Sequence, residues 1–301
     1  ERLDRTDGLA LLAQPADALA AGADIVRRHY SDGTVDACSI VNAKAGDCAE
    51  DCGFCAQSAH FDTGIDTYGF LGPEKVLEAA ERAEADGAQR FGIVVAEKGV
   101  SKEHRPDEWA EIVEAIRLVR DETDVEVDAS LGLLTEEEAE ILSAEGLNHY
   151  NHNIETSRRY FPEVVGTHSF EDRLKTLRRA KAAGMDLCAG VILGMGESPT
   201  DRVDAAIELV RLTGGREVNL APDEQHLPFE AGADGILTGD YLTTEGQDPG
   251  DDIDIMERAG LEPNREVNEF DPEAVKERHR DPAPDTAVGT ATSNASTELD
   301  D

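Results

Sequence analysis

Basic residues are in short supply in this chain. Against 65 aspartates and glutamates it sets 28 lysines and arginines, only 7 of them lysine, for a formal net charge of −37 over 301 residues. That balance excludes nucleic-acid binding, because neutralising phosphates needs a basic face. The acids are spread along most helical segments rather than gathered in one block. They read as a solvated, salt-adapted (halophilic) surface rather than a cation-binding tract. No run of 18 apolar residues occurs, so no membrane-spanning helix is expected. The first residues, ERLDRTDGLALLAQ, lack a basic stretch followed by an apolar one, so no secretory signal is read and a cytoplasmic protein is expected. Cysteine is scarce as well. There are five, an odd number, and three fall within eight residues, which points to a metal or cluster site rather than a disulfide scaffold.

What is present is a strand–helix alternation between residue 36 and about residue 212. Short apolar runs at 37–43 (ACSIVNA), 90–96 (RFGIVVA), 125–131, 149–154 and 187–193 read as strands. Between them lie helical segments with legible ends. Pro73 opens one and Gly87 follows its last turn. Trp109, Ile112, Val113, Ile116 and Val119 recur at helical spacing. Thr135 with Glu138 forms a capping box, and Ser169 with Asp172 starts a helix that Gly184 stops. Residues 200–212 read as a helix, and 236–238 as one more short strand. Strands separated by single helices make a parallel sheet, and this many units favours a TIM-type (βα) barrel. The expected organisation is one barrel domain over residues 1–270, with a helical extension at 1–35. An acidic tail at 271–301, poor in large apolar residues, is expected to be disordered.

The cysteines stand as Cys48-Ala-Glu-Asp-Cys52-Gly-Phe-Cys55 on the loop after the first strand. Three thiolates at this spacing can hold three irons of a [4Fe–4S] cube and leave the fourth open. A structural zinc knuckle completed by His60 is the other reading of the spacing. The loop's place at the C-terminal end of the first barrel strand, where such folds carry their chemistry, favours the cluster.

The sequences NAKAGDCAEDCGFCAQSAHFDTG, YNHNIETS, TLRRAKAAGMDLCAGVILGMGE and AGADGILTGDYLTT, in that order, resemble the biotin synthase family of radical S-adenosylmethionine (SAM) enzymes. The resemblance runs roughly from residue 10 to residue 265. It implies a radical SAM barrel in which Cys48, Cys52 and Cys55 hold the [4Fe–4S] cluster. It further implies that SAM is contacted by Phe54, Asn153, Glu155, Arg173 and the stretch Gly190-x-Ile192-x-Gly194-x-x-Glu197. Asn151, Asn153, Thr243 and Thr244 would contact the substrate. An arginine fork suits a carboxylate, and amides suit a neutral ureido ring. The implied reaction is sulfur insertion into dethiobiotin, with flavodoxin or ferredoxin as electron donor and a homodimer as the assembly.

Two departures from the family stand out. Its second, [2Fe–2S] cluster has three cysteines and an arginine as ligands. The matching positions here are Gly92, Asp128, Cys188 and Arg216, so two thiolates are absent and carboxylate is a harder ligand than thiolate. Moreover, Arg211-Leu212-Thr213-Gly214-Gly215-Arg216 follows the preceding helix almost directly, where the family has about one more strand–helix unit. A barrel that is open or incomplete is therefore expected. Two other readings stay open: a one-cluster radical enzyme with another substrate or sulfur source, and a catalytically impaired relative.

The charge generates its own test. At molar salt the screening length falls to about 3 Å, which relieves acidic self-repulsion. Thermal unfolding midpoints measured from about 0.1 to about 3 M KCl are expected to rise. A flat or falling series contradicts the salt-adapted reading.

Overall fold

The computed structural model describes residues 4–31, 33–212, 235–243 and 246–280. Two helices come first, α1 (Arg5–Leu12) and α2 (Ala16–Tyr30). Then follow β1 (Thr34–Lys44), α3 (Pro73–Ala85), β2 (Arg90–Val95), α4 (Pro106–Glu122), β3 (Glu126–Ser130), α5 (Glu136–Ala144) and β4 (His149–Asn151). The short α6 (Phe161–Val164), α7 (Phe170–Ala182), β5 (Asp186–Cys188) and α8 (Pro199–Leu212) complete the first stretch. After residue 234 come β6 (Gly235–Leu237), α9 (Pro249–Arg258), the two-residue β7 (Glu262–Pro263) and α10 (Pro272–Arg280).

The strands lie in the order β5-β4-β3-β2-β1-β6, all pairs parallel, with β7 also against β1. The alternation of strand and helix produces this sheet, because a parallel neighbour needs a crossover and the described crossovers from β1 to β5 are helical. Among the described residues β5 and β6 stand at opposite ends and do not pair, so the barrel is open, as the short connection after α8 predicts. Arg211 and Leu212 form the last turn of α8. Arg216 lies outside the described residues.

The helix ends behave as their residues dictate. Thr135 and Ser169 each accept from the backbone three residues on and receive the reciprocal carboxylate bond, giving two complete capping boxes. The main core lies between the sheet and α3, α4 and α5, with Phe91, Ile93, Ile112, Ile116, Leu131 and Leu142 almost wholly buried. A second core sits under the cysteine loop. There Cys52, Ile154, Phe161, Val165, Phe170, Leu174 and Leu177 pack together with Phe54 and Cys55 at its margin.

One expectation is corrected. Residues 272–280 are helical, not disordered: α10 buries Val275 and packs on α9. Lys276, only 4% exposed at its side chain, reaches Glu257 (2.7 Å), Asp254 (3.0 Å) and Glu273 (3.2 Å). Arg278 donates to the Ala85 carbonyl at 2.9 Å and pairs with Asp86. The segment is poor in apolar residues, but its cations find acids on a strongly acidic body, and composition alone does not register that. Residues 281–301 lie outside the described residues.

Tyr150 ties the sheet to the loop above β3. Its ring is fully buried, and its hydroxyl donates to Gly132 O at 2.6 Å and accepts from Leu131 N at 3.3 Å. Tyr150→Phe keeps the ring but leaves a buried carbonyl and amide unpartnered. It is expected to destabilise the fold by about 1–3 kcal/mol, read as a lower denaturant midpoint in high salt. An unchanged midpoint contradicts this role.

Candidate active site

β1 ends at Lys44, and the cysteine loop begins four residues later, at the C-terminal edge of the sheet. The loop is closed on itself. Cys48 N donates to Gln57 O (3.1 Å), Ala59 N to Cys48 O (2.8 Å) and Cys55 N to Cys52 O (3.0 Å). Gln57 braces its base, donating to Asn42 Oδ1 (3.1 Å) and accepting from Gly46 N (2.7 Å).

Glu50 and Asp51, inside the motif, bolt the loop to the turn before α7. Asp51 Oδ1 accepts from Gly166 N (2.8 Å), Thr167 N (3.0 Å) and Thr167 Oγ1 (2.9 Å). Glu50 accepts from Thr167 Oγ1 (2.8 Å) and His168 Nδ1, and pairs with Lys98 at 3.1 Å. Gly53 N donates to Val164 O at 2.9 Å. Sequence reasoning missed Glu50, Thr167 and His168. The signal was two adjacent acids inside a cysteine motif, residues that a solvated loop would not need to bury.

Cys48, Cys52 and Cys55 are free thiols, none in a disulfide. Burial pushes all three up, Cys52 to about 12 even though Arg173 pulls it back. Among the described residues no group of three His, Cys, Asp or Glu side chains could hold a single metal ion. His60, the fourth ligand of the zinc reading, is exposed and bonds Ala49 O at 3.1 Å. A cube asks for something else: each thiolate binds its own iron, so the thiols surround a volume rather than meet at a point. Three unpaired, partly buried thiols on a braced loop fit that requirement.

Beside the loop lies Arg173, buried on the first turn of α7. It donates Nε–H to His168 Nε2 (3.0 Å) and Nη1–H to Asn153 O (2.8 Å) and Glu155 Oε1 (3.0 Å), which leaves Nη2 outside these bonds. Burial raises the Glu155 carboxyl against the pull of Arg173, and its Oε2 has no partner. Asn151 Oδ1 is likewise buried without a partner. Asn153 is already engaged, since its Oδ1 accepts from Gly190 N at 2.8 Å. That bond joins a second wall, where Ile154 N donates to Gly190 O (3.1 Å) and Ile192 N to Glu155 O (2.8 Å). Gly194 N is held by Glu197 Oε1 at 2.8 Å. Gly196 needs its lack of a side chain: φ is +105°, and a Cβ would stand 2.6 Å from the Tyr160 hydroxyl. His152, between the two asparagines, is buried, and burial followed by the Arg173 charge holds it neutral, well below the usual histidine range.

Backbone strain gathers here. The non-glycine residues with positive φ among those described are Asp47 (53°), Glu155 (66°) and Leu242 (52°). Each adjoins or is a site residue predicted from sequence, and such outliers persist where the surroundings over-determine them. Thr243, after Leu242, is exposed, and Thr244 lies outside the described residues.

The second cluster's positions fare differently. Gly92 offers no donor, and a Cβ there would stand 2.9 Å from Ile40 Cγ2. Asp128 is buried, and burial pushes its carboxyl up against the pull of His149 and Arg90. Its Oδ1 lies 2.9 Å from His149 Nδ1, close as an ion pair but outside hydrogen-bond alignment. Cys188 is a half-buried thiol on β5. One thiol, with a carboxylate already facing an imidazole, does not fit a [2Fe–2S] cluster.

Comparison with known proteins agrees with this geometry. Residues 44–210 match the Radical SAM superfamily and residues 206–262 the Biotin and Thiamin Synthesis associated domain. Among solved structures, methylornithine synthase superposes with a TM-score of 0.73 at 20% identity, over 91% of this chain and 97% of that one. The FeFe-hydrogenase maturase HydG from Carboxydothermus hydrogenoformans gives 0.71 at 15% identity, over 88% and 76%. At those identities the likeness concerns the fold. A biotin synthase from Heliobacterium modesticaldum is 40% identical over 79% of this chain and 86% of its own length. A biotin synthase from Natronomonas pharaonis is 72% identical over 100% of this chain and 95% of its own length. The latter alignment spans 350 residues against the 301 of this chain, so that relative carries a stretch absent here. At this identity over the whole chain, with the radical SAM match covering the cysteine loop and both walls beside it, the chain belongs to the biotin synthase family.

Proposed function

We propose that this chain is a radical SAM enzyme that inserts sulfur into dethiobiotin to form biotin. The observation that carries the reading is the braced C-x3-C-x2-C loop at the end of β1 with its three free thiols, held against the buried Arg173. A reduced [4Fe–4S] cluster with SAM would supply the hydrogen-abstracting power that unactivated carbons require.

The chain's own residues do the rest. Cys48, Cys52 and Cys55 would hold the cluster. Arg173, with Nε and Nη1 tied down, keeps Nη2 to meet the SAM carboxylate. Phe54, packed at the margin of the second core, offers an apolar face to the adenine, and the Gly190, Ile192 and Gly194 stretch lets backbone approach the adenosine. Asn153 is pinned by Gly190, and the unpartnered oxygens of Glu155 and Asn151 remain to receive ribose hydroxyls and ureido N–H groups. Thr243 and Thr244 complete the substrate set. The electron donor would be of the flavodoxin or ferredoxin kind, and the assembly a cytoplasmic homodimer. No step is assigned to a [2Fe–2S] cluster, since Gly92 and Asp128 bring no thiolate to it among the described residues, so the inserted sulfur atom would come from a separate sulfide donor, present in the assay as the sulfide used for reconstitution.

Anaerobic reconstitution followed by iron and sulfide analysis, then by joint quantification of 5′-deoxyadenosine and biotin, tests the reading. About four irons per chain and both products are expected, and Cys52→Ala is expected to lose iron and products together. About six irons would restore the second cluster. Deoxyadenosine without biotin would move the chain to another substrate or sulfur source, and zinc without sulfide would remove the radical reading. Separately, Arg173→Ala is expected to weaken SAM binding about ten- to hundredfold by calorimetry at unchanged iron content, the worth of a charge-assisted bond. Unchanged affinity contradicts the assigned role.

A further inference from the structure

Glu50 and His168 reach Arg173 in series. His168 Nε2 accepts the Arg173 Nε–H at 3.0 Å. A guanidinium donates and never accepts, so Nε2 carries no proton. The proton of a neutral ring then sits on Nδ1, where the Glu50 carboxylate receives it. Burial and the Arg173 charge together keep the ring below the usual histidine range despite Glu50, consistent with that tautomer. Glu50 is itself held by Thr167 and Lys98. The side chains of Glu50, His168 and Arg173 are 7%, 6% and 9% exposed. The Phe161 ring screens the series, 5.6 Å from the His168 ring and 5.6 Å from Arg173 Cζ.

Burying a carboxylate, an imidazole and a guanidinium in one row is a poor way to gain stability, because apolar packing of the same volume serves as well. What such a row does confer is orientation. We propose that Glu50 and His168 are positioning residues that lock the Arg173 guanidinium to the cysteine loop, setting its Nη2 edge at a fixed place relative to the three thiols. The proposal rests on the reading of Arg173 as the SAM carboxylate partner. Glu50 fixes the tautomer of His168, the bare Nε2 fixes the roll of Arg173 about its long axis, and Glu155 with Asn153 O holds the other side. The cysteine loop and the carboxylate grip are then one rigid body rather than two independent sites.

The experiment compares side chains that reproduce one nitrogen of the imidazole at a time. A glutamine amide oxygen reaches where Nε2 stands, whereas an asparagine amide reaches only where Nδ1 stands. SAM affinity of the reconstituted chain, by calorimetry, is expected to fall about tenfold in His168→Ala and His168→Asn but only about two- to threefold in His168→Gln. Glu50→Leu removes the acceptor that holds the ring proton on Nδ1 and frees that proton to stand on Nε2 against Arg173. It is expected to cost about tenfold alone and nothing further in the His168→Ala background, the non-additivity of a chain acting as a unit. Equal losses in the Gln and Asn variants, or additive losses in the double variant, overturn the proposal. A second readout needs no SAM. In the reconstituted chain before cofactor is added, the Arg173 Nε–H should exchange slowly by 15N nuclear magnetic resonance. It should stay slow in His168→Gln and become fast in His168→Asn and Glu50→Leu, and uniformly fast exchange in the unmodified chain overturns the relay. If the unmodified chain binds no SAM, the functional reading fails, while the Nε–H exchange still decides the relay.

Discussion

Two carboxylates inside the cysteine motif, Glu50 and Asp51, take their hydrogen bonds from the turn at Gly166, Thr167 and His168, and everything at the site depends on that seam. Backbone bonds close the three-thiol loop on itself, but they do not register it against the helix that carries Arg173. Asp51 saturates the amides that precede α7, and Glu50 meets His168, so the loop is registered against the helix that carries Arg173. Without those bonds the thiols would ride on a surface loop, and their distance from the cofactor-facing groups would be undefined.

Around that seam the chain departs from the economy of its core. Under α3, α4 and α5 the packing is apolar, with few polar atoms to satisfy. At the C-terminal edge of the sheet the interior instead holds Glu50, His152, Glu155, Arg173 and Glu197, some with orphaned atoms, and its backbone enters the left-handed region at Asp47 and Glu155. Unpaired buried polar atoms and strained backbone are unfavourable in isolation and persist where a ligand or a fixed geometry makes use of them. The same sheet is open between β5 and β6 among the described residues, and the place where the family carries a second cluster holds Gly92 and a carboxylate facing His149. The part of the site around the cysteine loop is thus dense and over-determined, and the positions where the family resemblance leads one to expect further thiolates hold Gly92 and Asp128.

Much of this was legible beforehand, for physical reasons. The cap residues Thr135 and Ser169 announce their helices because a side-chain oxygen three residues from a carboxylate satisfies amides that no helix can satisfy itself. Alternating strands and single helices permit only a parallel sheet. The cysteine spacing points to a shared metal or cluster centre, and the loop's place at the C-terminal end of the first strand, with the family motifs around it, favours the cluster over zinc. The helix at 272–280 was not legible because α10 is held by cation–acid pairing with α9 and with Asp86 at the end of α3, which composition does not register.

By itself, then, the sequence determined the parallel α/β architecture, the cysteine loop at the end of β1, the openness left by the short connection after α8, and the presence of Gly92 and Asp128 where the family resemblance leads one to expect thiolates. Those are matters of local pattern, spacing and residue type. Only the tertiary structure decided that Glu50 reaches across 118 positions to His168, that His168 Nε2 meets the Arg173 Nε–H, and that the buried Asp128 lies against His149. Such contacts depend on which side chains the folded sheet and its helices bring within three ångströms, and a hydrogen bond is made by distance and angle in space, to which position along the chain is blind.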